Sequence, residues 1–338
     1  MVGNHYIDAH LHLWEKQQGV VDGRSVKAVG NGKSDFGGEV HQMMPPYMND
    51  NSNTIERLIA NMDYAGVSGC VVTQEYIDGN QDDYLLKAKS KYPDRVKICS
   101  LYMDEAYLDG RRPGKSACGE EGVSMPAAGS YYTDKGLVDA SSMAGEAPCD
   151  FMYRLDGFDG IKVCAGRLAN KDLLKLLPMF LEAEKQGKFI SIDMADGNEQ
   201  TDELQELITI CPKLKIAIGH FGMVTRKDWH EQIKLARNKN VYIESGGLTW
   251  LFNYEFYPYP SAIDAIIEAK GICGMEKLMW GSDYPRTMTD ITYKSALRFI
   301  LESGKLTDDE KKAFLGGNAE RFYVFTGLPD MKEIPNML

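Results

Sequence analysis

Short runs of apolar and β-branched residues alternate along the chain with segments of helical period. Runs such as Val71–Thr73, Gly160–Cys164 and Val241–Glu244 are almost continuously apolar, as expected of strands buried on both faces. Segments such as Asp82–Lys91 and Trp229–Ala236 place apolar residues three and four positions apart, which predicts amphipathic helices. The alternation therefore predicts repeated strand–helix units around a parallel sheet.

Eight strands are predicted in all, at Tyr6–Trp14, Val71–Thr73, Val96–Tyr102, Gly160–Cys164, Lys188–Asp193, Leu214–His220, Val241–Glu244 and Lys277–Asp283. The predicted helices between them are Thr54–Tyr64, Asp82–Lys91, Leu173–Glu184, Glu203–Ile210 and Trp229–Ala236. Eight such units close most naturally into an α/β fold, the (β/α)8 TIM barrel. An open doubly wound sheet is the alternative, disfavoured because no strand is followed by a nucleotide-binding glycine motif.

Three segments depart from the repeat. A long polar loop is expected between the first strand and the first helix. Residues from about 105 to 147 are rich in Gly, Ser, Ala and Pro and have no sustained period, which predicts a long insertion after strand 3. Its Met125, Tyr131 and Tyr132 would line a lid over the catalytic face, or would pack within an exposed loop. Asp308–Phe325 predicts an extra C-terminal helix that packs outside the barrel, and we expect a single domain over residues 1–338.

Composition narrows the class of protein. Of the 338 residues, 43% are hydrophobic and 26% are charged, which is typical of a globular protein. A net charge of -11 disfavours nucleic acid and anionic membranes as partners. No basic and apolar leader begins the chain, and its 7 cysteines form no C-x-x-C pair. We therefore expect a cytoplasmic protein with reduced thiols and no membrane span.

The histidines are concentrated where a barrel would carry chemistry. Of the 6, His10, His12 and His220 fall at predicted strand ends, and barrel active sites lie at the C-terminal ends of the strands. His10 and His12 are two apart on one strand, so both imidazoles lie on the same face. If that face is the interior, both can reach one ion; otherwise they are half-buried side chains satisfied by hydrogen bonds.

His220 and Asp283 are further candidates. His220 ends strand six between glycines that permit close approach; its alternative role is that of a capping or core histidine. Asp283 ends strand eight, where a helix N-cap is the alternative. A carboxylate beside two histidines suits a metal ion and can deprotonate a bound water.

Several short motifs together resemble the amidohydrolase-related (amidohydrolase 2) family: His10-x-His12, Gly160-Ile161-Lys162, Gly219-His220-Phe221-Gly222, Gly281-Ser282-Asp283-Tyr284-Pro285 and Gly317-Asn318-Ala319-Glu320-Arg321-Phe322. Each motif is weak, but five occur in the right order over nearly the whole chain. The family holds metal-dependent decarboxylases of aromatic or unsaturated acids, hydrolases, and lactone hydrolases for sugars or pyrones. The resemblance thus implies the site more firmly than the reaction.

By this resemblance, His10 and His12 would bind one divalent metal ion, usually zinc. Asp283 would bind it or act as general base toward the attacking water, and His220 would orient or protonate the substrate. The family often has a histidine at the end of strand five, whereas this chain has Asp193. Asp193 would be an oxygen ligand, favouring manganese over zinc, or a partner fixing a histidine tautomer. Some similar lactonases work without metal.

Further polar residues near strand ends are weaker candidates. Arg286 would clamp a substrate carboxylate or face solvent. Glu244 would contact substrate or join a buried polar network. Lys162 and Cys164 are taken to face opposite sides of strand four, with Lys162 a candidate for the interior. A binuclear site on a carbamylated lysine would need more histidines than remain.

The sequence thus predicts a metal-dependent hydrolase, and a lactonase acting on a small carboxylated or sugar-derived lactone is the leading hypothesis. A metal-dependent decarboxylase is the near rival, and a catalytically inactive barrel that serves as a binding protein is the third. The expected partner is a small anionic or sugar-like molecule, and a homodimer is an assembly that such barrels often adopt.

Overall fold

The computed structural model describes residues 5–21, 23–104, 130–133, 136–139, 153–168, 171–332 and 334–337. Eight parallel strands form one sheet whose spatial order follows the chain. They are Tyr6–His12, Val67–Thr73, Val96–Leu101, Gly160–Cys164, Phe189–Asp193, Lys215–Ile218, Val241–Glu244 and Leu278–Met279. This arrangement confirms the predicted (β/α)8 barrel.

The first and eighth strands meet and close the barrel. The Ala9 amide donates to the Trp280 carbonyl (2.8 Å), and the His12 amide donates to the Tyr284 carbonyl (2.9 Å). A parallel bridge joins Leu11 to Tyr284. Residues at opposite ends of the sequence therefore become neighbours at this seam.

Helices cover the outside of the barrel, at Ile55–Ala65, Asp82–Lys91, Leu177–Lys185, Thr201–Ile210, Trp229–Leu235, Pro260–Cys273 and Tyr293–Leu301. The short helix Leu248–Leu251 instead lies at the C-terminal end of the barrel, in the connection after the seventh strand. Alternate strand residues such as Ile190 and Ile192 pack against the outer helices in the main core. Their neighbours Ser191 and Asp193 consequently face the barrel interior. None of the helices in the described residues is long and apolar enough to cross a membrane.

A four-stranded antiparallel sheet stands where a polar loop was predicted, so that prediction was wrong. Its strands are Gln18–Val21, Arg24–Gly30, Lys33–Phe36 and Val40–Gln42. Tight turns with left-handed residues, such as Asn31 and Gly32, connect strands too short and too polar to give a clear period. The sheet ends beside the catalytic mouth of the barrel.

Most of the predicted insertion, residues 105 to 147, lies outside the described residues. Within it the structure describes two short strands, Ser130–Thr133 and Gly136–Asp139. Ser130–Thr133 is the middle strand of an antiparallel sheet, between Gly136–Asp139 and Tyr153–Arg154. The lid prediction for this segment stays a prediction.

The C-terminal segment closes the other end of the barrel. It consists of the helix Asp308–Lys312, a wider turn at Ala313–Gly317 and the helix Asn318–Tyr323. Phe322 and Tyr323 join the apolar cluster that fills the barrel interior, in which Phe189 and Met279 are strand members. The predicted extra helix is therefore confirmed, but it plugs the N-terminal end of the barrel rather than only covering its wall.

Candidate functional site

A cavity of about 740 Å3 opens at the C-terminal ends of the strands. Its volume lies in the range of roughly 300–1,000 Å3 that is usual for small-molecule sites. Seven of the eight strands or the loops after them contribute to its lining, including His12, Cys164, Asp193, His220, Trp250 and Asp283. Gln42 and Met43 line it from the inserted sheet.

His10 is fixed from behind by a carboxylate. Its Nδ1–H donates to Glu244 Oε1 at 2.6 Å, and both side chains are fully buried. This bond places the proton on Nδ1, so His10 Nε2 carries a free lone pair. Metal-binding histidines are held in the same way by carboxylates. Glu244 thus lies in the buried polar network, the second of its two predicted places, and not on the cavity surface.

His12 and Asp283 adjoin His10. His12 Nε2 lies 3.3 Å from His10 Nε2 and 2.9 Å from Asp283 Oδ1. Burial and the charge of Arg286 lower the pKa of His12 to about 3, which keeps the ring neutral. His12 Nδ1 is buried without a hydrogen bond, and the nearest carboxylate oxygen, Asp78 Oδ2, is 3.9 Å away.

Asp283 is held rigidly at the seam. Its other oxygen, Oδ2, accepts from Trp250 Nε1 at 2.5 Å, and its backbone amide donates to the His10 carbonyl at 2.9 Å. Its φ of 58° is left-handed, a strained conformation that is often found at functional sites. Burial raises the pKa of Asp283, but His12 and Arg286 outweigh burial and keep it below the ordinary value.

Asp193 is paired with a buried lysine. Lys162 Nζ lies 2.6 Å from Asp193 Oδ1, and the Lys162 side chain is 0% exposed. Both Lys162 and Cys164 face the barrel interior, so their predicted placement on opposite sides was wrong; residues two apart on a strand share a face. Burial raises the pKa of Asp193, but Lys162 and His220 hold it well below its usual range.

His220 stands across the cavity from His12. Its Nδ1–H donates to the Gly246 carbonyl at 2.8 Å, and its Nε2 lies 3.6 Å from Asp193 Oδ2. Burial lowers the pKa of His220, but the Asp193 carboxylate overrides burial and raises it to about 9. The backbone from His220 to Met223 is left-handed throughout, which turns the imidazole back toward the barrel axis.

Glycines make room for these side chains. A Cβ on Gly219 would overlap the Asp193 carboxylate and lie 2.7 Å from Glu244 Oε1. A Cβ on Gly281 would lie 2.7 Å from that of His10, closer than real Cβ contacts. The glycines beside His220 and Asp283 are therefore required by the crowding of charged groups inside the barrel.

Arg286 reaches the cavity and is paired through one terminal nitrogen, while its Nη1 is buried without a hydrogen bond. Its Nη2 donates to both Asp78 oxygens, at 2.9 and 3.0 Å. Asp78 also accepts from Gln17 Nε2 at 3.1 Å, and Gln17 in turn accepts from Ser34 of the inserted sheet. This chain of buried hydrogen bonds connects the inserted sheet with Arg286.

The structure brings together most of the residues singled out from the sequence. Two groups have ligand atoms within 4.8 Å of one another: His10, His12 and Asp283, and His10, Asp193 and His220. Sequence reasoning missed Trp250, Asp78 and the Lys162–Asp193 pair. For Asp78 and Trp250, the signal was a polar or aromatic residue a few positions after a strand end. The Lys162–Asp193 pair required knowledge of how neighbouring strands are aligned.

The comparisons agree with the predicted resemblance. Residues 189–325 match the sequence model of the amidohydrolase family, "Amidohydrolase", which confirms the resemblance over the second half of the barrel. Asp193, His220, Glu244, Asp283 and Arg286 lie in this stretch. No curated protein matches the chain in sequence.

Several solved structures share the fold. A probable 2-pyrone-4,6-dicarboxylic acid hydrolase from Acinetobacter baumannii is 18% identical, with 95% of this chain and 100% of that chain covered and a TM-score of 0.59. An amidohydrolase from Burkholderia multivorans with bound zinc is 14% identical, with the same coverage and a TM-score of 0.60. Amidohydrolase 2 from Bifidobacterium longum subsp. infantis is 16% identical over 95% of this chain and 99% of that chain, with a TM-score of 0.55. These likenesses establish the fold.

Proposed function

We propose that this protein is a metal-dependent hydrolase that opens a small, neutral, hydroxyl-bearing lactone. The observation that carries the proposal is the convergence of His10 Nε2, His12 Nε2 and Asp283 at the floor of the cavity, with 3.3 Å between the two nitrogens. The reaction is the addition of water to the lactone carbonyl.

The donor set fits a divalent ion. Two imidazole nitrogens and a carboxylate oxygen are ligands that zinc and manganese accept. The orphaned His12 Nδ1 supports this fit: with Nε2 engaged as a ligand, the ring proton moves to Nδ1 and faces Asp78. His10, His12 and Asp283 would hold the ion, which would supply positive charge to polarise the carbonyl and to lower the pKa of water.

Asp283 is the proton acceptor in this proposal. Its depressed pKa means that it is ionised at neutral pH, and its position on the cavity wall gives it access to a water molecule. The bond from Trp250 aims the carboxylate. Asp283 takes a proton from the water, whose oxygen then bonds to the lactone carbonyl carbon.

His220 is the proton donor. With its pKa raised to about 9, the imidazole carries a proton at neutral pH, and the side chain lines the cavity. It stabilises the negative charge that develops on the substrate oxygen. When the ring carbon–oxygen bond breaks, the leaving alkoxide takes the His220 proton, and the product is a hydroxy acid.

The charges of the cavity favour a neutral substrate. Each lining cation of the described residues has a carboxylate partner: Arg286 pairs with Asp78, Arg167 with Glu75 and Lys171 with Glu199. The lining carboxylates outnumber these three cations, and the protonated His220 together with a divalent ion would bring the lining close to neutral. Carboxylates accept hydrogen bonds from hydroxyl groups and repel anions. A sugar-derived lactone, whose hydroxyl groups can donate to these carboxylates, therefore suits this lining, while the unbonded Arg286 Nη1 would be the contact for a substrate carboxylate.

The test is hydrolysis of a panel of lactones, followed by acid release with a pH indicator in weak buffer. Neutral aldonolactones should be opened, and activity should fall on chelation and return with zinc or manganese. Lactones that carry two carboxylates should be poor substrates. The control variant is Glu268→Gln, which removes a carboxylate on the outer surface beside His230 and should leave lactone opening unchanged.

Three results would overturn the proposal. Release of carbon dioxide from acid substrates without lactone opening would make the protein a decarboxylase. Full activity in chelator would remove the ion from the mechanism. Binding of sugars without turnover in metal-loaded protein would indicate a binding protein.

A further inference from the structure

Lys162 is a fully buried cation that lies beneath the cavity, next to the lining residue Asp193. It extends from the fourth strand into the barrel interior, and its ammonium pairs with Asp193 at 2.6 Å. The proposed chemistry uses neither group directly. Removing a charge from water is unfavourable in free energy, so a buried ion pair such as this one calls for a functional explanation.

The geometry presents two places for an ion, and they share His10. The first place is formed with His12 and Asp283, and the second with Asp193 and His220. His10 has only Nε2 to offer, because its Nδ1 donates to Glu244. One ring nitrogen binds one ion. Within the described residues, an ion in the second place would therefore rely on Asp193 and on His220 Nε2, which would have to give up its proton to bind.

Asp193 is not free to bind a second ion. Its Oδ1 is engaged by Lys162, and its Oδ2 faces His220 Nε2 at 3.6 Å. The pairing of the fourth and fifth barrel strands fixes the positions of Lys162 and Asp193. It aligns Cys164 with Asp193 and Lys162 with Ser191. Both side chains project to the interior from parallel strands, so neither can turn away without leaving a charge buried alone.

We propose that the Lys162 ammonium takes the place of a second divalent ion and restricts the centre to one metal. Lys162 neutralises the charge of Asp193 and occupies its Oδ1, the oxygen that would otherwise bind a second ion. Asp193 in turn keeps His220 oriented toward the substrate. One half of the site then holds an ion, and the other half holds an internal cation and a proton donor. This inference rests on the proposed function, because it assumes an ion at His10, His12 and Asp283.

The test is the number of manganese ions bound per chain after loading and gel filtration, measured by elemental analysis. The parent should hold one, and Lys162→Met, which frees Asp193, should hold one more. Lys162→Met/Asp193→Asn should return to the parent count, because the freed ligand is gone. Lys215→Met is the matched control, since Lys215 is an interior lysine at the opposite end that donates to the Phe322 carbonyl.

A second readout is electron paramagnetic resonance of bound manganese. Two ions in such a site lie about 3.5–4 Å apart, so Lys162→Met should show a coupled pair and the parent an isolated ion. If Lys162→Met does not fold, Lys162→Gln replaces it with the same expected gain of one ion.

Equal counts in the parent and the folded Lys162 variant would overturn the inference, as would two ions in the parent. The proposed function fails separately, if the parent opens no lactone or works without any ion. A gain of one ion in the variant supports the role of Lys162 whichever lactone the parent accepts.

Discussion

The two ends of the barrel interior are built on opposite principles. At the N-terminal end, Phe189, Met279, Phe322 and Tyr323 fill the interior with apolar side chains. At the C-terminal end, the interior holds histidines, carboxylates and Lys162, each fixed by a partner of opposite charge or by a hydrogen bond. The N-terminal end stabilises the fold by burying apolar surface, whereas at the C-terminal end the charged side chains are held in fixed orientations.

The largest effect should follow from removing the carboxylate of Asp283, the proposed proton acceptor at the C-terminal end of the barrel interior. Asp283→Asn should lower kcat roughly 10²–10⁴-fold, because the amide cannot take the water proton. The melting temperature should stay near that of the parent, since the Trp250 bond to the side-chain oxygen is retained. Steady-state kinetics and circular dichroism check both parts, and a variant with at least a tenth of the parent kcat would contradict the assignment.

The apolar end should respond in the opposite way. Phe322→Ala should lower the free energy of unfolding by about 3–5 kcal/mol, because the ring packs against Phe189 and Tyr242. The kcat of folded protein should not change. Phe256→Ala is the control, since Phe256 is 90% exposed. Urea unfolding measures the loss of stability, and steady-state kinetics measure kcat. Equal destabilisation by the two substitutions would contradict the role of Phe322 in closing the N-terminal end of the barrel.

The buried carboxyl group of Asp82 sharpens the contrast. Burial of Asp82 raises its pKa from 3.8 to about 6, against hydrogen bonds from Gln74 and Ser100. The folded state thus binds this proton more tightly than the unfolded chain does. The protonated carboxyl group therefore contributes fully to the free energy of unfolding below pH 4, and this contribution is lost as the pH rises through 6. Asp82→Asn should gain stability relative to the parent between pH 4 and 7, by about 3 kcal/mol. Urea unfolding at both pH values measures it, and a pH-independent difference would contradict it.

The smallest effect should come from the residue behind His10. Glu244→Gln should weaken metal binding about 10–100-fold, because the amide is a poorer acceptor for His10 Nδ1–H and fixes the ring less firmly. Competition with a chelating dye measures the affinity. Glu268→Gln, on the outer surface beside His230, is the control, and an unchanged metal affinity in Glu244→Gln would remove Glu244 from the site.

The sequence predicted the barrel because strands buried on both faces leave a strong apolar signal, and Gly160–Cys164 and Val241–Glu244 were predicted to the residue. The sheet Gln18–Gln42 left no such signal, since its strands are short and only part of one face is buried. Histidines two apart predicted the shared face of His10 and His12. The partners of Glu244 and Asp193 depend on contacts between strands distant in sequence, which a single sequence does not contain.

The seam between the first and last strands has a consequence for biosynthesis. Two of the proposed ligands, His10 and His12, are made at the start of translation, and Asp283 near its end, yet the backbone bond from Asp283 to His10 forms only when the barrel closes. A chain still on the ribosome, or truncated before residue 283, has no complete ligand set. Metal would therefore bind only after the whole chain has been synthesised and the barrel has closed.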